Sequence, residues 1–456
     1  MSVLLDRKID VVRMLVAQSP DNVVGGLHSA LAGVFDPTLM EVRALISDEM
    51  RDRRFRDIVF APVLHMFDDP AKIRNHLVFP RSVLILLWKA LKDDEPDRVA
   101  KVRQFMEVAG FERRADPLND LLSCVERGLR SLKSEAYIAA SAKLNGSGRK
   151  LEKIFCDCLS IAPLARDASM RLVDWVERPN DERAASIRVI YKDATALSAN
   201  NGPLLFEMLS AGLKEPWMIL RLISLVMDRP TQRYLADSEL STFPNRIMES
   251  IDLSLVELGR FSYKGTPEDA IVAANTIKLL AKTIAELEAG IELDRASGWG
   301  ARVQKQKQAL AQAVESQIGK TEILIATALP YHTVRGAHYS RKVPRMTTPP
   351  KAKDIENVRT LLAFMDAILP IASAAGFATA RKEVAESASD HLDRYAEDGF
   401  ALIRENEVED FELAITHLTY AAEFLEIVRD SVSADLVRRR IVAATDNARR
   451  DNAKYG

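Results

Sequence analysis

Apolar residues recur along this chain at intervals of three and four, as in Leu39, Val42, Leu45 and Ile46, and again in Val99, Val102, Phe105 and Met106. That spacing draws one apolar stripe along a helix of period 3.6 and predicts amphipathic helices packed on a core. Clear period-two runs bounded by turns, the mark of half-buried strands, are absent. Proline supplies the punctuation: Asp36-Pro37, Asp69-Pro70, Glu95-Pro96, Asp116-Pro117, Gly202-Pro203, Glu215-Pro216 and Thr266-Pro267. Proline at the first helical position lacks only an amide that has no partner there anyway, and a preceding Asp or Thr can cap the free amides. The chain is therefore expected to be all-α. The intervals between these prolines shrink and no residue pattern recurs between them, which favours irregular helical packing over a true repeat.

Periodicity also divides the chain. An N-terminal helical domain is expected over 1–145, ending at the flexible Asn145-Gly146-Ser147-Gly148, and a central helical domain over 149–265. From 266 to 329 the pattern tightens. Ala270, Ala273, Ile277, Leu280, Ile284, Leu287 and Ile291 alternate at three and four, the seam of a coiled coil. A second arm from Ala301 to Ala328 begins polar nearly all round. Two arms, each of about 28 residues and about 40 Å long, predict an antiparallel hairpin that projects from the body, with Gly298-Trp299-Gly300 at its tip. The seam serves packing within the chain or against a second copy equally well. Residues 330–353 read as a basic linker. Residues 354–456 hold four helical stretches, Ile355 to Leu369, Ala378 to Arg404, Asp410 to Val428 and Val432 to Asn452, which predict a C-terminal four-helix bundle.

Composition narrows the function classes. At 456 residues and 47% hydrophobic, the chain exceeds what one core organises. With 63 Lys and Arg against 65 Asp and Glu it has no global field, which argues against a nucleic-acid binder held by bulk charge. Three cysteines, Cys124, Cys156 and Cys158, fit a reducing compartment better than a disulfide framework. The first residues carry Asp6 and Asp10 inside their apolar stretch and show no export signal. The longest apolar runs, Val83 to Trp88 and Trp217 to Leu220, are far too short to span a bilayer. A cytoplasmic location is expected.

Catalytic and metal motifs are missing. Gly319-Lys320-Thr321 ends like a phosphate-binding loop, but Val314 stands where the first glycine belongs and no strand precedes it. Cys156 and Cys158 point about 200° apart on a helix, so they read as core hydrophobes rather than metal ligands. The seven histidines form neither His-Glu-x-x-His nor Glu-x-x-His. Asp390, His391, Asp393 and Arg394 read as a solvated helix face. No catalytic residue, metal or cofactor is expected from these patterns. Ser147, Gly148, Arg149 and Lys150, just before a helix, make a weak anion-binding candidate, because helix starts carry partial positive charge.

Two features point to partners. Trp299 between glycines is either an exposed docking ring or one folded back on its hairpin. Between Glu322 and Asp354 the chain carries no acid, yet it holds Tyr331, His332, Arg335, His338, Tyr339, Arg341, Lys342, Arg345, Lys351 and Lys353 among Pro330, Pro344, Pro349 and Pro350. These observations predict a non-catalytic helical interaction protein, a scaffold or adaptor that docks a protein partner through Trp299 or the basic segment. The same cations alternatively suit nucleic acid or an anionic membrane surface. A third reading is an enzyme with a helical cleft that carries no short motif.

Overall fold

The computed structural model describes residues 6–69, 75–109, 115–146, 151–335 and 340–455. They are overwhelmingly helical, as the apolar spacing requires, and the strands among them are two short pairs. Helix starts fall where proline announces them. Asp36 accepts hydrogen bonds from the amides of Thr38 (2.9 Å) and Leu39 (3.1 Å) at the head of helix Pro37–Val59. Helices Pro96–Ala109, Asp116–Ser131 and Asn201–Ala211 and the turn Pro216–Met218 open at four of the others, while Pro70 lies outside the described residues. Thr266 and Asp269 cap one another's backbone amides before helix Pro267–Gly290, a reciprocal box at a position the sequence marks with Thr-Pro. Thr266→Ala is expected to destabilise that helix by about 1 kcal/mol, read as earlier hydrogen exchange in its first turn.

The chain forms two compact units: Met1–Arg229 with Asp237–Phe243, and Pro230–Ala236 with Pro244–Gly456. The break expected near Asn145 lies inside the first unit, between helices Glu135–Asn145 and Leu151–Ser160. In this unit, helices Asp6–Gln18 and Asp21–Ala30 pack on Pro37–Val59 around Val16, Val24 and Ile46. Its main core gathers Phe60, Phe67, Phe79 and Phe155, with ring centroids 4.9 to 6.4 Å apart. The parallel pair Phe67–Asp68 and Phe79–Pro80 delivers two of these rings. Cys156 and Cys158 are buried in helix Leu151–Ser160, as expected of small hydrophobes. Burial pushes the Cys156 thiol up to about 12 and Cys158 higher still, so neither is a nucleophile at neutral pH.

The second unit departs from the projecting hairpin. Every residue of the predicted seam is buried, and helix Ala352–Ala367 is the principal neighbour of Pro267–Gly290. The seam is thus filled within the chain. The second arm runs as Gly298–Ile318 and Thr321–Ala328. Its polar first half is tied to helix Thr242–Leu258 by side-chain hydrogen bonds. Gln306 is buried and its amide donates to the Met248 carbonyl (2.8 Å) and to Asp252 (2.6 Å), while Arg302 pairs with Asp252 at 2.6 Å. Polarity all round had suggested an arm in water; side-chain amides and guanidinium groups instead find partners here. Helices Ala352–Ala367, Ala378–Arg404, Phe411–Val428 and Ser431–Tyr455 follow in the order the periodicity indicates.

Among the described residues, no helix is long and apolar enough to cross a membrane.

Candidate functional site

The connection 330–353 contains the antiparallel strands Tyr331–Arg335 and Ser340–Pro344, in register from Tyr331 opposite Pro344 to Arg335 opposite Ser340. Pro330 and Pro344 exclude helix from the ends, and Tyr, Thr and Val favour extended backbone. A lone two-stranded ribbon is marginal in water. Helices Ala378–Arg404 and Phe411–Val428 supply what it lacks. The Tyr331 hydroxyl donates to Asp398 Oδ2 at 3.1 Å, and its ring stands edge-on to Tyr395, with centroids 5.4 Å apart. Val343, Pro344 and Met346 are buried. Met346 occupies the space at Gly399, where a Cβ would come within 2.6 Å of its terminal methyl. Arg341 pairs with Glu405 at 3.3 Å. Beyond the strands, the Thr348 carbonyl accepts from the ring of His417 at 2.9 Å. In its described residues, the segment read as a linker is therefore a structured element pinned at Tyr331, Arg341, Met346 and Thr348.

The pinning sorts the candidate residues. Arg335, Lys342, Arg345, Lys351 and Lys353 are exposed, and none of them has a carboxylate partner among the described residues. Tyr331 is turned inward; burial and the adjacent Asp398 carboxylate push its hydroxyl above the ordinary tyrosine range. His332 is exposed. Tyr339 lies outside the described residues, as do His338 and the anion-binding candidate Ser147, Gly148, Arg149 and Lys150.

Trp299 is not at a bare tip. It is half-buried at the start of helix Gly298–Ile318, where its indole N–H donates to Asn245 Oδ1 at 2.9 Å. Its glycines serve the turn that precedes it. Gly298 has φ +53, a left-handed conformation. The Gly300 amide donates to Gln232 Oε1 (2.9 Å), and the Gly300 Cα faces the Asp294 carbonyl so closely that a Cβ would stand 2.0 Å from its oxygen. Sequence reasoning missed Gln232 and Asn245, which lie more than fifty residues upstream of the turn they brace.

Beneath the strand pair sits a network that sequence reasoning also missed. Tyr395, fully buried, shares a hydrogen bond of 2.9 Å with His417 Nδ1. The Thr348 carbonyl can only accept, so His417 carries its proton on Nε2 and its Nδ1 accepts from the Tyr395 hydroxyl. His391 lies against the Tyr331 ring, 5.9 Å between centroids, with a buried Nε2 that has no hydrogen-bond partner. Burial lowers the pKa of both histidines below the ordinary 6.5. His417 and Tyr395 are sealed from solvent, so this network holds the segment in place and gives no reacting molecule access.

The first unit carries a cleft of about 790 Å³ beside Asp21, Glu49, Asp52, Arg53, Arg81 and Lys92. Its carboxylates are engaged internally. Arg53 donates to Asp21 (2.6 Å) and Glu49 (2.7 Å), while Asp52 accepts from Trp88 (2.8 Å), Lys92 (2.7 Å) and Arg103. Burial would raise the Asp52 carboxyl, but hydrogen bonds from Lys92 and Trp88 hold it below its ordinary value. The cleft reads as an ion-paired clasp between helices. Among the described residues, no three His, Cys, Asp or Glu side chains are grouped so as to hold a metal ion.

Comparison with known proteins gives no match: no family model, no curated protein and no solved structure is similar to this chain.

Proposed function

We propose that the chain is a non-catalytic helical interaction protein, a scaffold or adaptor, that docks an acidic surface of a protein partner on the strand pair Tyr331–Arg335 and Ser340–Pro344 and the basic residues after it. One observation carries the reading. Arg335, Lys342, Arg345, Lys351 and Lys353 stand exposed, without acidic partners among the described residues, on a segment fixed at Asp398, Glu405 and His417. A fixed array of unpaired cations loses little side-chain or backbone freedom on meeting an anionic surface and raises the rate of encounter with it. The reading gives Trp299 no docking role, because its N–H is engaged within the unit and its ring is half-buried.

A nucleic-acid strand or anionic lipid offers the same charge, but the inward turn of Tyr331 removes a ring on which a base could stack. The observations therefore favour an acidic protein surface. The test is capture from the native cell by the wild-type chain and by the variant Arg335→Glu/Lys342→Glu/Arg345→Glu. Capture of the specific partner should fall roughly tenfold or more and lose most of its dependence on salt. Partner capture that is identical for both proteins at low and high salt would sink the reading. A single-stranded oligonucleotide and a phosphatidylserine vesicle serve as parallel probes, and tighter, charge-dependent binding to either would replace the protein partner by that ligand.

A further inference from the structure

We infer that His417 and His391 form a pH-sensitive latch that holds the basic strand pair on its helices at neutral pH and releases it on acidification. The inference deepens the docking role just proposed by giving that surface a regulator, but the latch itself is independent of any partner. Its geometry lies in three layers of one unit. From the strand segment come Tyr331 and the Thr348 carbonyl; from helix Ala378–Arg404 come His391, Tyr395 and Asp398; from helix Phe411–Val428 comes His417.

A neutral imidazole fits this layer and an imidazolium does not. His417 is 1% exposed and sits between one acceptor, the Thr348 carbonyl, and one hydroxyl, that of Tyr395. In the neutral ring both nitrogens are satisfied. Protonation of Nδ1 turns it into a second donor aimed at a hydroxyl that is itself donating, so Tyr395 must reverse and its proton loses its acceptor. Among the described residues no carboxylate faces the ring to stabilise the charge; burial and the Thr348 carbonyl are what act on it, burial the stronger. The nearest acid of the network, Asp398, is occupied by the Tyr331 hydroxyl.

His391 reinforces the arrangement. It lies under Tyr331 with Nε2 buried and unpartnered; burial, the strongest influence, and Arg394 oppose its charge, and Glu322 alone favours it. Charge on either ring therefore falls on the contact between the segment and its helices. The direction follows from linkage. The attached state binds fewer protons than the detached one, so attachment is complete above the ordinary histidine value of 6.5 and is lost as pH falls through the lowered values of the attached rings. Between 6.5 and those lowered values, each proton taken up weakens attachment about tenfold per pH unit.

Hydrogen-exchange mass spectrometry on the full chain between pH 7.5 and 5.0, corrected for intrinsic exchange, tests the latch. Peptides covering Tyr331–Arg335 and Ser340–Thr348 should lose protection about tenfold per pH unit or more, while Phe411–Val428 keeps its protection. His417→Gln replaces one donor and one acceptor without a titrating group and should hold the segment closed at pH 5.0, most fully when combined with His391→Leu. Wild-type protection that persists at pH 5.0, or a double variant that opens as the wild type does, overturns the latch. Should His417→Gln fail to fold, the ring carbon resonances of wild-type His417 decide: titration at or above 6.5 overturns the proposal, and titration well below it supports it. None of these measurements contains a partner, so failure here leaves the docking test standing, and failure there leaves the latch standing.

Discussion

Gly300→Ala is expected to destabilise the unit formed by Pro230–Ala236 and Pro244–Gly456 by about 3 kcal/mol. A Cβ at this position would lie 2.0 Å from the carbonyl oxygen of Asp294 and 2.5 Å from its carbon. Side-chain ends can swing away from such a clash; a peptide group in a braced turn cannot. The Asp294 side chain accepts from the Ala296 amide (3.0 Å) and the Ser297 hydroxyl (2.5 Å), which fixes the turn from inside. From outside, the Gln232 amide donates to the Glu292 carbonyl (2.9 Å) and the Glu292 amide to the Pro230 carbonyl (3.1 Å). Relief of the clash must break part of this set and with it the Trp299–Asn245 bond. Trp299 is the one tryptophan in this unit, the others being Trp88, Trp175 and Trp217. A urea titration read by its emission measures the loss, and a change below about 1 kcal/mol would show that the turn opens freely. Gly26→Ala is the control. It sits inside helix Asp21–Ala30 with nothing within 4 Å of the added Cβ, so it should stabilise by roughly 0.5 kcal/mol through helix propensity.

The same turn shows where the sequence is legible and where it stops being so. Glycine on both sides of Trp299 marks a special turn, and the turn is there. The reason for each glycine lies in Asp294 and Gln232, and a glycine pattern does not say whether its neighbour faces water or protein. Helix starts at Asp36 and Thr266 were readable because a cap and its amides are at most three residues apart, and the start at Asp116 because proline follows it. Burial of Cys156 and Cys158 was readable from cysteine's character as a small hydrophobe. The strand pair was not, since each strand has five residues and its support comes from Asp398, Glu405 and His417, more than sixty residues later. The basic composition of the segment was visible at once. Which of its residues turn inward was set by those distant partners, and that placement separates Tyr331 from Arg335 and Lys342.

Arg166→Met is expected to cost about 3 kcal/mol of stability in the other unit, by a mechanism invisible in local sequence. Helix Pro37–Val59 ends in carbonyls that have no partner within the helix. Arg166, buried on helix Ala162–Glu177, donates to the Ile58 carbonyl (3.0 Å), the Val59 carbonyl (2.7 Å) and Asn119 Oδ1 (2.9 Å). Among the described residues no carboxylate accompanies it; burial lowers its pKa to about 10, so it remains a cation at neutral pH. Its charge is stabilised by the negative end of the helix dipole and by the carbonyls themselves. Methionine fills much of the same volume but offers no donor, which leaves the buried Val59 carbonyl and Asn119 Oδ1 without theirs and the Ile58 carbonyl with only a 3.4 Å bond from the Ala61 amide. Lysine restores the charge but not the planar fork that reaches three acceptors at once, so Arg166→Lys should recover less than half of the loss. Urea denaturation followed by Trp88 and Trp175 emission, with hydrogen exchange at the end of Pro37–Val59, separates these outcomes. Equal stability for Met and Arg would mean that the helix end needs no cation. Full recovery by Lys would mean that charge alone suffices and that the fork geometry joining residues 58, 59, 119 and 166 is incidental.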